Sequence, residues 1–145
     1  MKKEMVLAFV DSYANKNKKK ILELLAENAV VSDPHFPLKT MKGHRELDRG
    51  LSWSFNAIKS TRLDVLDLKI DENTAYVELD TTHTLKIGIQ YRYVQLLKIR
   101  ISEDKITHLD TYVTYSPGGI RGAFRHLYSI AWQAGDIVQR AMHNK

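Results

Sequence analysis

The sequence predicts an α+β fold, with helices early in the chain and a long antiparallel sheet after them. Before Thr61, apolar residues recur every three to four positions, which is typical of amphipathic helices. From Thr61 to Tyr115 the spacing shifts towards two, and turn residues separate the alternating stretches. Helices followed by such a run of strands are expected to pack against one face of the sheet.

The length and composition are those of one folded domain. The chain has 145 residues, of which 43% are apolar and 27% charged. We expect a single domain over 1–145, because the chain has neither internal repeats nor a low-complexity linker. No cysteine is present, which excludes disulfides, thiolate metal sites and a cysteine nucleophile. No apolar run is long enough for a signal peptide or a membrane span, so we expect a cytoplasmic protein without a membrane partner.

Three helices and a strand are predicted before the sheet. The first helix runs from Glu4 to about Asn15, and a short second helix follows with Ile21, Leu22, Leu24 and Leu25 facing inward. The β-branched run Ala29–Ser32 predicts a strand that ends at Asp33-Pro34. Residues 35–42 are expected to form a loop. Gly43 then begins a third helix, whose inward stripe consists of Leu47, Leu51, Phe55 and Ile58.

Four consecutive antiparallel strands are predicted over 61–115, with turns at 71–73, at Gly88 and at 102–104. In the clearest strand, Thr74–Ile87, alternate residues form one mostly apolar face: Ala75, Val77, Leu79, Thr81, His83, Leu85 and Ile87. Residues 116–119 then end the sheet. The helical spacing of the apolar residues after them predicts an extra C-terminal helix, an extension over 119–143.

The charge pattern gives little support for a nucleic-acid partner. The formal net charge is +5, and Lys16 and 18–20 cluster near the N-terminus, where they could attract phosphates. No aromatic residues interleave with this cluster and no nucleic-acid-binding motif accompanies it. A solvated surface at a helix–helix connection is therefore the favoured interpretation, and we predict no nucleic-acid partner.

Metal and cofactor chemistry are also poorly supported. The six histidines contain no i, i+4 pair and no His-Glu-x-x-His motif, so we predict no metal site. Gly118-Gly119 lacks the spacing of a phosphate-binding loop, and no cofactor motif is recognisable, so we predict no cofactor. Ser116 and Ser129 lie in no nucleophile-elbow pattern.

One local motif, taken with the order of elements, resembles a known superfamily. The motif is Ala29-Val30-Val31-Ser32-Asp33-Pro34, followed by Gly43-His44 at a helix start. Over residues 4–115 the chain resembles the nuclear transport factor 2-like superfamily, which includes ketosteroid isomerase, SnoaL-like polyketide cyclases and limonene epoxide hydrolase. The resemblance implies a cone-shaped, curved antiparallel sheet with the N-terminal helices on its concave face, around a mostly apolar pocket. It also implies a homodimer formed through the outer face of the sheet.

The resemblance implies roles for particular positions. Val31-Ser32-Asp33-Pro34 matches the Val-x-Asp-Pro that carries the base of ketosteroid isomerase. The first-helix tyrosine of that enzyme falls at Phe9, with Tyr13 one turn further along, and its second oxyanion donor falls near Gln95. The last-strand aspartate of limonene epoxide hydrolase falls at Thr111. Asp110 is one residue out of register and therefore faces the opposite side of the sheet.

Asp33 is the main candidate for chemistry. At the mouth of an apolar cavity its carboxylate becomes a better proton acceptor near neutral pH. The alternative is that Asp33 only caps the turn into Pro34. His83, on the apolar face of its strand, either bonds to Asp33 or a ligand or is a satisfied core histidine. Tyr93 and Gln95 alternate onto the inner face as hydrogen-bond donors or as pocket walls.

Further residues are predicted to line the pocket, although the aromatic ones are equally explained as core. They are Phe9, Tyr13, Phe36, Trp53, Phe55, Tyr91, Leu109, Thr111 and Val113.

Two functions remain open from the sequence. The first is a cofactor-independent acid/base enzyme of isomerase or cyclase type acting on a hydrophobic carbonyl or polycyclic compound. Its catalytic residues would be Asp33, Gln95, Tyr93 and His83. The second is a non-catalytic ligand-binding or dimerisation module of the same fold, which the absence of a hydroxyl at Phe9 favours.

Overall fold

A computed structural model describes residues 1–113 and, further along the chain, residues 134, 135, 139, 140 and 142. The helices are α1 (Lys2–Ala14), α2 (Lys18–Leu24) and α3 (Gly43–Ala57). The strands are β1 (Leu25–Ser32), β2 (Thr40–Lys42), β3 (Ile58–Asp71), β4 (Thr74–Leu85), β5 (Gln90–Ser102) and β6 (Lys105–Val113). Of the predicted C-terminal helix, the five described residues are helical, and the remainder lies outside the described residues.

The six strands form one curved, unclosed sheet in the order β2-β1-β6-β5-β4-β3. The four long strands β3 to β6 pair antiparallel with one another, as predicted, and β1 runs parallel to β6. The α+β fold class is thus confirmed, and the helices cover the concave face. Val6 of α1 and Leu47 of α3 are almost fully buried there and belong to the same core cluster as Val77 and Ile99 of the sheet.

Two of the predicted boundaries near Asp33 are wrong. β1 begins at Leu25 rather than at Ala29, because Leu25 pairs with Ile106 of β6. The predicted loop over 35–42 contains the short strand β2, whose Thr40 pairs with Ser32. The earlier start of β1 and the presence of β2 both depend on pairing with strands elsewhere in the chain or across a turn. The local sequence therefore does not reveal them.

The end of β4 also differs from the prediction. The strand stops at Leu85, and Ile87, predicted to share its buried face, lies in the following turn with 77% of its surface exposed. Gly88, in the same turn, has φ of 88°, a conformation that glycine adopts without strain. The alternation of β4 is real up to Leu85, but the reversal of the chain ends it two residues early.

The turn predicted at 102–104 is a tight hairpin. Ser102 pairs with Lys105, and the two residues between them, Glu103 and Asp104, have φ of 51° and 56°. Two consecutive positive φ values are typical of the turn whose twist matches that of the strands. Next to this hairpin a bulge between Arg100 and Ile101 shifts the register of β5 against β6, so the hairpin and the bulge together set which of their residues point into the concave side.

Candidate functional site

A cavity of about 120 Å³ lies between the helices and the concave face of the sheet. Its wall is mostly apolar, and the polar groups on it come from the helices, from the turn after β1 and from β4, β5 and β6. Of the residues predicted from sequence, the following line it: Phe9, Tyr13, Asp33, Phe36, Trp53, His83, Tyr91, Tyr93, Gln95, Leu109 and Thr111. The volume corresponds to about four water molecules, so the space suits a small compound.

Phe55 and Val113 were predicted to line the pocket, but neither is among the lining residues. Phe55 packs its ring edge-on against Tyr13, with centroids 5.3 Å apart, so Tyr13 occupies the wall in its place. Val113 has the inward parity of Thr111, but it is the last residue of β6 and is only half-buried. The helical and strand periodicities identify a face, whereas the cavity covers only part of that face.

Asp33 follows the last residue of β1 and lies at the rim of the cavity, with 15% of its side chain exposed. Its backbone N–H donates to the carbonyl of Lys39 at 2.8 Å, which holds the strand end in place. Its carboxylate oxygen Oδ1 accepts the backbone N–H of His35 at 2.8 Å. The turn-capping role expected from Asp-Pro is therefore present. It uses Oδ1, and Oδ2 has no hydrogen-bond partner among the described residues.

His35 is a functional candidate that sequence reasoning missed. Its ring Nδ1 lies 2.8 Å from Oδ1 of Asp33, and its ring packs on Tyr93 with centroids 4.7 Å apart. The signal that could have found it is the Asp-Pro-His order. An Asp side chain commonly bonds the backbone two residues on, and this turn brings residue i+2 back over the carboxylate.

His83 and Tyr93 form a buried pair on the sheet wall. Nε2 of His83 lies 3.0 Å from the Tyr93 hydroxyl, and Nδ1 lies 2.8 Å from Oγ1 of Thr61. Burial lowers the pKa of His83 to about 4, with His35 nearby adding to the effect and Asp33 opposing it. The ring is therefore neutral at pH 7, with both of its nitrogens engaged by these partners and not by Asp33.

The hydroxyls of Tyr91 and Tyr93 are kept protonated by their surroundings. Burial raises the pKa of both phenols, and the charge of Asp33 raises them further. The two rings are nearly parallel, with centroids 5.8 Å apart. A protonated, buried phenol is a hydrogen-bond donor that stays a donor over the whole physiological pH range.

Gln95 and Thr111 add polar groups to the cavity wall, whereas Thr81 is fully buried and does not line it. The Gln95 amide Nε2 donates one hydrogen bond to Oγ1 of Thr81 at 2.8 Å. The second hydrogen of this amide has no hydrogen-bond acceptor among the described residues. Oγ1 of Thr111 is buried and has no hydrogen-bond partner in the described structure. Polar side chains of β4, β5 and β6 thus meet on this wall of an otherwise apolar cavity.

Tyr13 occupies the helical side of the wall. Its hydroxyl lies 3.1 Å from Oγ of the buried Ser54 in α3, and burial raises the pKa of the phenol. Phe9, one turn earlier in α1, is 8% exposed and provides only apolar surface. Of these two positions, only Tyr13 carries a hydroxyl, and that hydroxyl already has a partner.

The basic cluster near the N-terminus makes contacts within the molecule. Lys16 donates to the backbone carbonyls of Phe55 and Ile58, where α3 passes into β3. Lys18 forms an ion pair with Asp48 of α3 at 2.8 Å. These lysines therefore connect α3 to the segment between α1 and α2 and to the start of α2.

The fold and cavity define the class of protein, a small α+β cone with a mostly apolar cavity between its helices and its sheet. A family comparison then identifies the family, because residues 6–109 match the SnoaL-like domain. The chain belongs to the SnoaL-like domain family. No curated protein matches the chain by sequence. None of the described helices is both long and apolar enough to cross a membrane.

Solved structures show the same fold at low sequence identity. A ketosteroid isomerase-like protein from Catenulispora acidiphila, in complex with trimethylamine, is 18% identical, with a TM-score of 0.69 over 78% of this chain and 85% of that one. TerC, co-crystallised with polyporic acid, is 16% identical, with a TM-score of 0.69 over 86% and 95%. A protein from Shewanella putrefaciens, provisionally assigned as a SnoaL-like polyketide cyclase, is 7% identical, with a TM-score of 0.70 over 78% and 89%.

Proposed function

We propose that this protein binds a small carbonyl compound in the cavity and performs cofactor-independent acid/base chemistry on it, with Asp33 as the base. The observation that carries the proposal is the position of Oδ2 of Asp33: it is unpartnered among the described residues, at the rim of an apolar cavity whose sheet wall carries hydrogen-bond donors. A positioned carboxylate opposite donors is what proton abstraction next to a carbonyl requires.

The proposed step moves one proton and one electron pair. Oδ2 of Asp33 accepts a proton from the carbon next to the carbonyl, and the C–H electron pair forms the carbon–carbon double bond of an enolate. The negative charge develops on the carbonyl oxygen, where Tyr93 and Gln95 donate hydrogen bonds. Tyr93 can do so when the neutral His83 ring donates from Nε2 to the phenol oxygen, which frees the phenolic proton. Return of the proton to carbon completes the cycle.

The cavity volume supports a compound of one small ring rather than a polycyclic one. A cavity of about 150 Å³ holds benzene, whereas this one measures about 120 Å³. Typical ligand pockets are larger, about 300 Å³ or more, so this cavity by itself does not hold a polycyclic compound. Of the two substrate classes predicted from the sequence, we therefore favour a hydrophobic carbonyl compound over a polycyclic one.

The proposal is tested by the exchange of solvent deuterium into the α-position of a simple ketone. Cyclopentanone is incubated with the protein in D₂O near neutral pH, and loss of its α-hydrogen signal is followed by ¹H NMR. We expect the protein to accelerate exchange over buffer, and Asp33→Asn to lower the rate by about 100-fold or more. Asparagine keeps an acceptor oxygen for the turn, so the substitution removes the base and preserves the fold.

Asp110→Asn is the matched control for that substitution. Asp110 is on the outward face of β6, 3.9 Å from Arg100, and does not line the cavity. The control is expected to exchange at the wild-type rate. Wild-type exchange in Asp33→Asn would contradict the assignment of the base.

The second candidate is a non-catalytic ligand-binding module. It is favoured by the helical wall, where Phe9 has no hydroxyl and that of Tyr13 pairs with Ser54. The complexes of two structural neighbours with trimethylamine and polyporic acid support small-molecule binding in this fold. Cyclopentanone that shifts the NMR signals of cavity residues without being exchanged would favour this candidate over the enzyme.

A homodimer through the outer face of the sheet is part of the same proposal, as is a cytoplasmic location. The outer face carries exposed apolar side chains, among them Tyr76, Leu96 and Tyr112, with 37%, 37% and 53% of their surfaces exposed. Leu96 and Tyr112 are directly opposite each other on β5 and β6, so they form one continuous patch. A second copy of the chain would cover this patch.

A further inference from the structure

We infer that His35 is the positioning residue of the Asp33 base: it holds Oδ1 from two sides and leaves Oδ2 as the proton acceptor. This inference rests on the proposed function and extends it to a residue outside the predicted site. His35 lines the same cavity and is within the turn that follows β1.

Two groups of His35 contact one oxygen of Asp33. The backbone N–H donates to Oδ1 at 2.8 Å, and the ring Nδ1 lies 2.8 Å from the same atom. An ionised carboxylate only accepts, so Nδ1 must carry the hydrogen in this contact. Two donors on one oxygen fix the rotation of the carboxylate and occupy lone pairs of Oδ1. Oδ2, unpartnered among the described residues, is then the oxygen available to a ligand.

The ring of His35 is itself held in place from the cavity side. It packs on Tyr93 with ring centroids 4.7 Å apart, and the Tyr93 hydroxyl is 3.0 Å from Nε2 of His83. The side chain of His35 is 23% exposed and lines the cavity, so it lies between the cavity and solvent. The ring of His35 therefore contacts both the proposed base, Asp33, and the proposed donor, Tyr93.

A positioning role makes a specific kinetic prediction. Misplacement of a reacting group by about 1 Å costs about 100-fold in rate, whereas binding of a neutral ketone to an apolar cavity depends little on the rotation of one carboxylate. Removing the ring nitrogen should therefore lower kcat for exchange and leave KM nearly unchanged. A side chain that returns a donor at the same place should restore kcat.

The test uses two substitutions in the cyclopentanone exchange assay. His35→Leu removes the ring donor and keeps the backbone one, and we expect kcat to fall by about 10- to 100-fold with KM changed by less than about twofold. His35→Asn places an amide N–H as many bonds from the backbone as Nδ1, and we expect it to restore most of kcat. His108→Leu is the control, because His108 is on the outward face of β6, does not line the cavity, and among the described residues its ring bonds only to Thr107.

A second measurement does not depend on catalysis. The ¹⁵N NMR signals of the His35 ring at pH 8 should show a hydrogen on Nδ1 in the wild-type protein. It decides the inference even where a leucine variant does not fold.

The outcomes separate the inference from the proposed function. Wild-type kcat in His35→Leu, or an unprotonated Nδ1, overturns the role of His35 and leaves Asp33 as the base. The same loss of kcat in His35→Asn as in His35→Leu also overturns it, since the donor would then not matter. Wild-type protein that gives no exchange above buffer overturns the proposed function and this inference with it.

Discussion

Nε2 of His83 lies 3.0 Å from the hydroxyl oxygen of Tyr93, which joins a histidine inside the protein to a phenol on the cavity wall. The other ring nitrogen is taken by Thr61, so the histidine is fully bonded without Asp33. A neutral ring in this place supports the phenol as a donor, and its neutrality depends on burial. Protonation of His83 should therefore destabilise the folded protein.

We predict that His83 makes the protein less stable as the pH falls from about 6.5 to about 4. Its pKa in the folded protein is about 4, below the ordinary histidine value of 6.5, so the unfolded chain binds the proton first. The free energy of unfolding attributable to His83 is therefore fully present above pH 6.5 and is lost towards pH 4, by up to about 3 kcal/mol.

The measurement is urea unfolding at several pH values between about 7 and about 4.5, which spans most of this window. His83→Asn, which does not titrate, should show a weaker decline of stability over this range than the wild type. His108→Asn, on the outer face, should decline like the wild type. Parallel curves for the wild type and His83→Asn would contradict the prediction.

Thr111→Val is predicted to stabilise the free protein. Oγ1 of Thr111 is buried without a partner in the described structure, and burying such a group costs about 1–3 kcal/mol. Valine has nearly the same shape and removes the unpaired hydroxyl, so the free energy of unfolding should rise by about 1 kcal/mol.

Thr81→Val is the matched control, measured by the same urea unfolding. Thr81 is also a buried threonine of the sheet, but its Oγ1 accepts the amide hydrogen of Gln95. That substitution leaves the amide unpaired and should destabilise the protein by about 1–3 kcal/mol. Equal losses in the two variants would show that Thr111 has a partner.

Gly43→Ala is predicted to destabilise the protein by about 1–2 kcal/mol. Gly43 has φ of 75°, and an added Cβ would lie 3.3 Å from the backbone carbonyl of Glu27 in β1. Gly88→Ala separates strain from crowding, because Gly88 has φ of 88° but open space around the added atom. Thermal unfolding should therefore give the larger loss for Gly43→Ala, and an equal loss would indicate strain alone.

Leu96→Glu is predicted to convert a dimer into a monomer. The side chain lies on the outer face between Tyr112 of β6 and Glu78 of β4, so a second carboxylate there would be buried beside Glu78 against a second copy. Sedimentation equilibrium measures the mass directly. Ile87→Glu, at an exposed turn away from this face, is the control and should leave the mass unchanged. A monomeric wild type would refute the dimer.

The sequence predicted the fold because its signals are local. Alternation along β4 and β5 requires only that one face be buried, so it is enough to place His83, Tyr93 and Gln95 on the inner side of the sheet. The motif that ends β1 likewise located Asp33 at a strand end, and the structure has it there. The sequence also predicted that α3 begins at Gly43, and this residue has a positive φ, which glycine adopts readily.

By itself, then, the sequence determined the α+β class, the order of the helices and long strands, and the inward direction of His83, Tyr93 and Gln95, since these follow from periodicity and turn chemistry. Only the tertiary structure decided that β1 lies beside β6, that His35 returns onto Asp33 and that His83 bonds to Tyr93 instead. It also decided that the enclosed space is about 120 Å³. These features depend on which distant segments pack together and how closely. The packing of helices against a sheet is set by the whole core and leaves no mark on any single stretch of the chain.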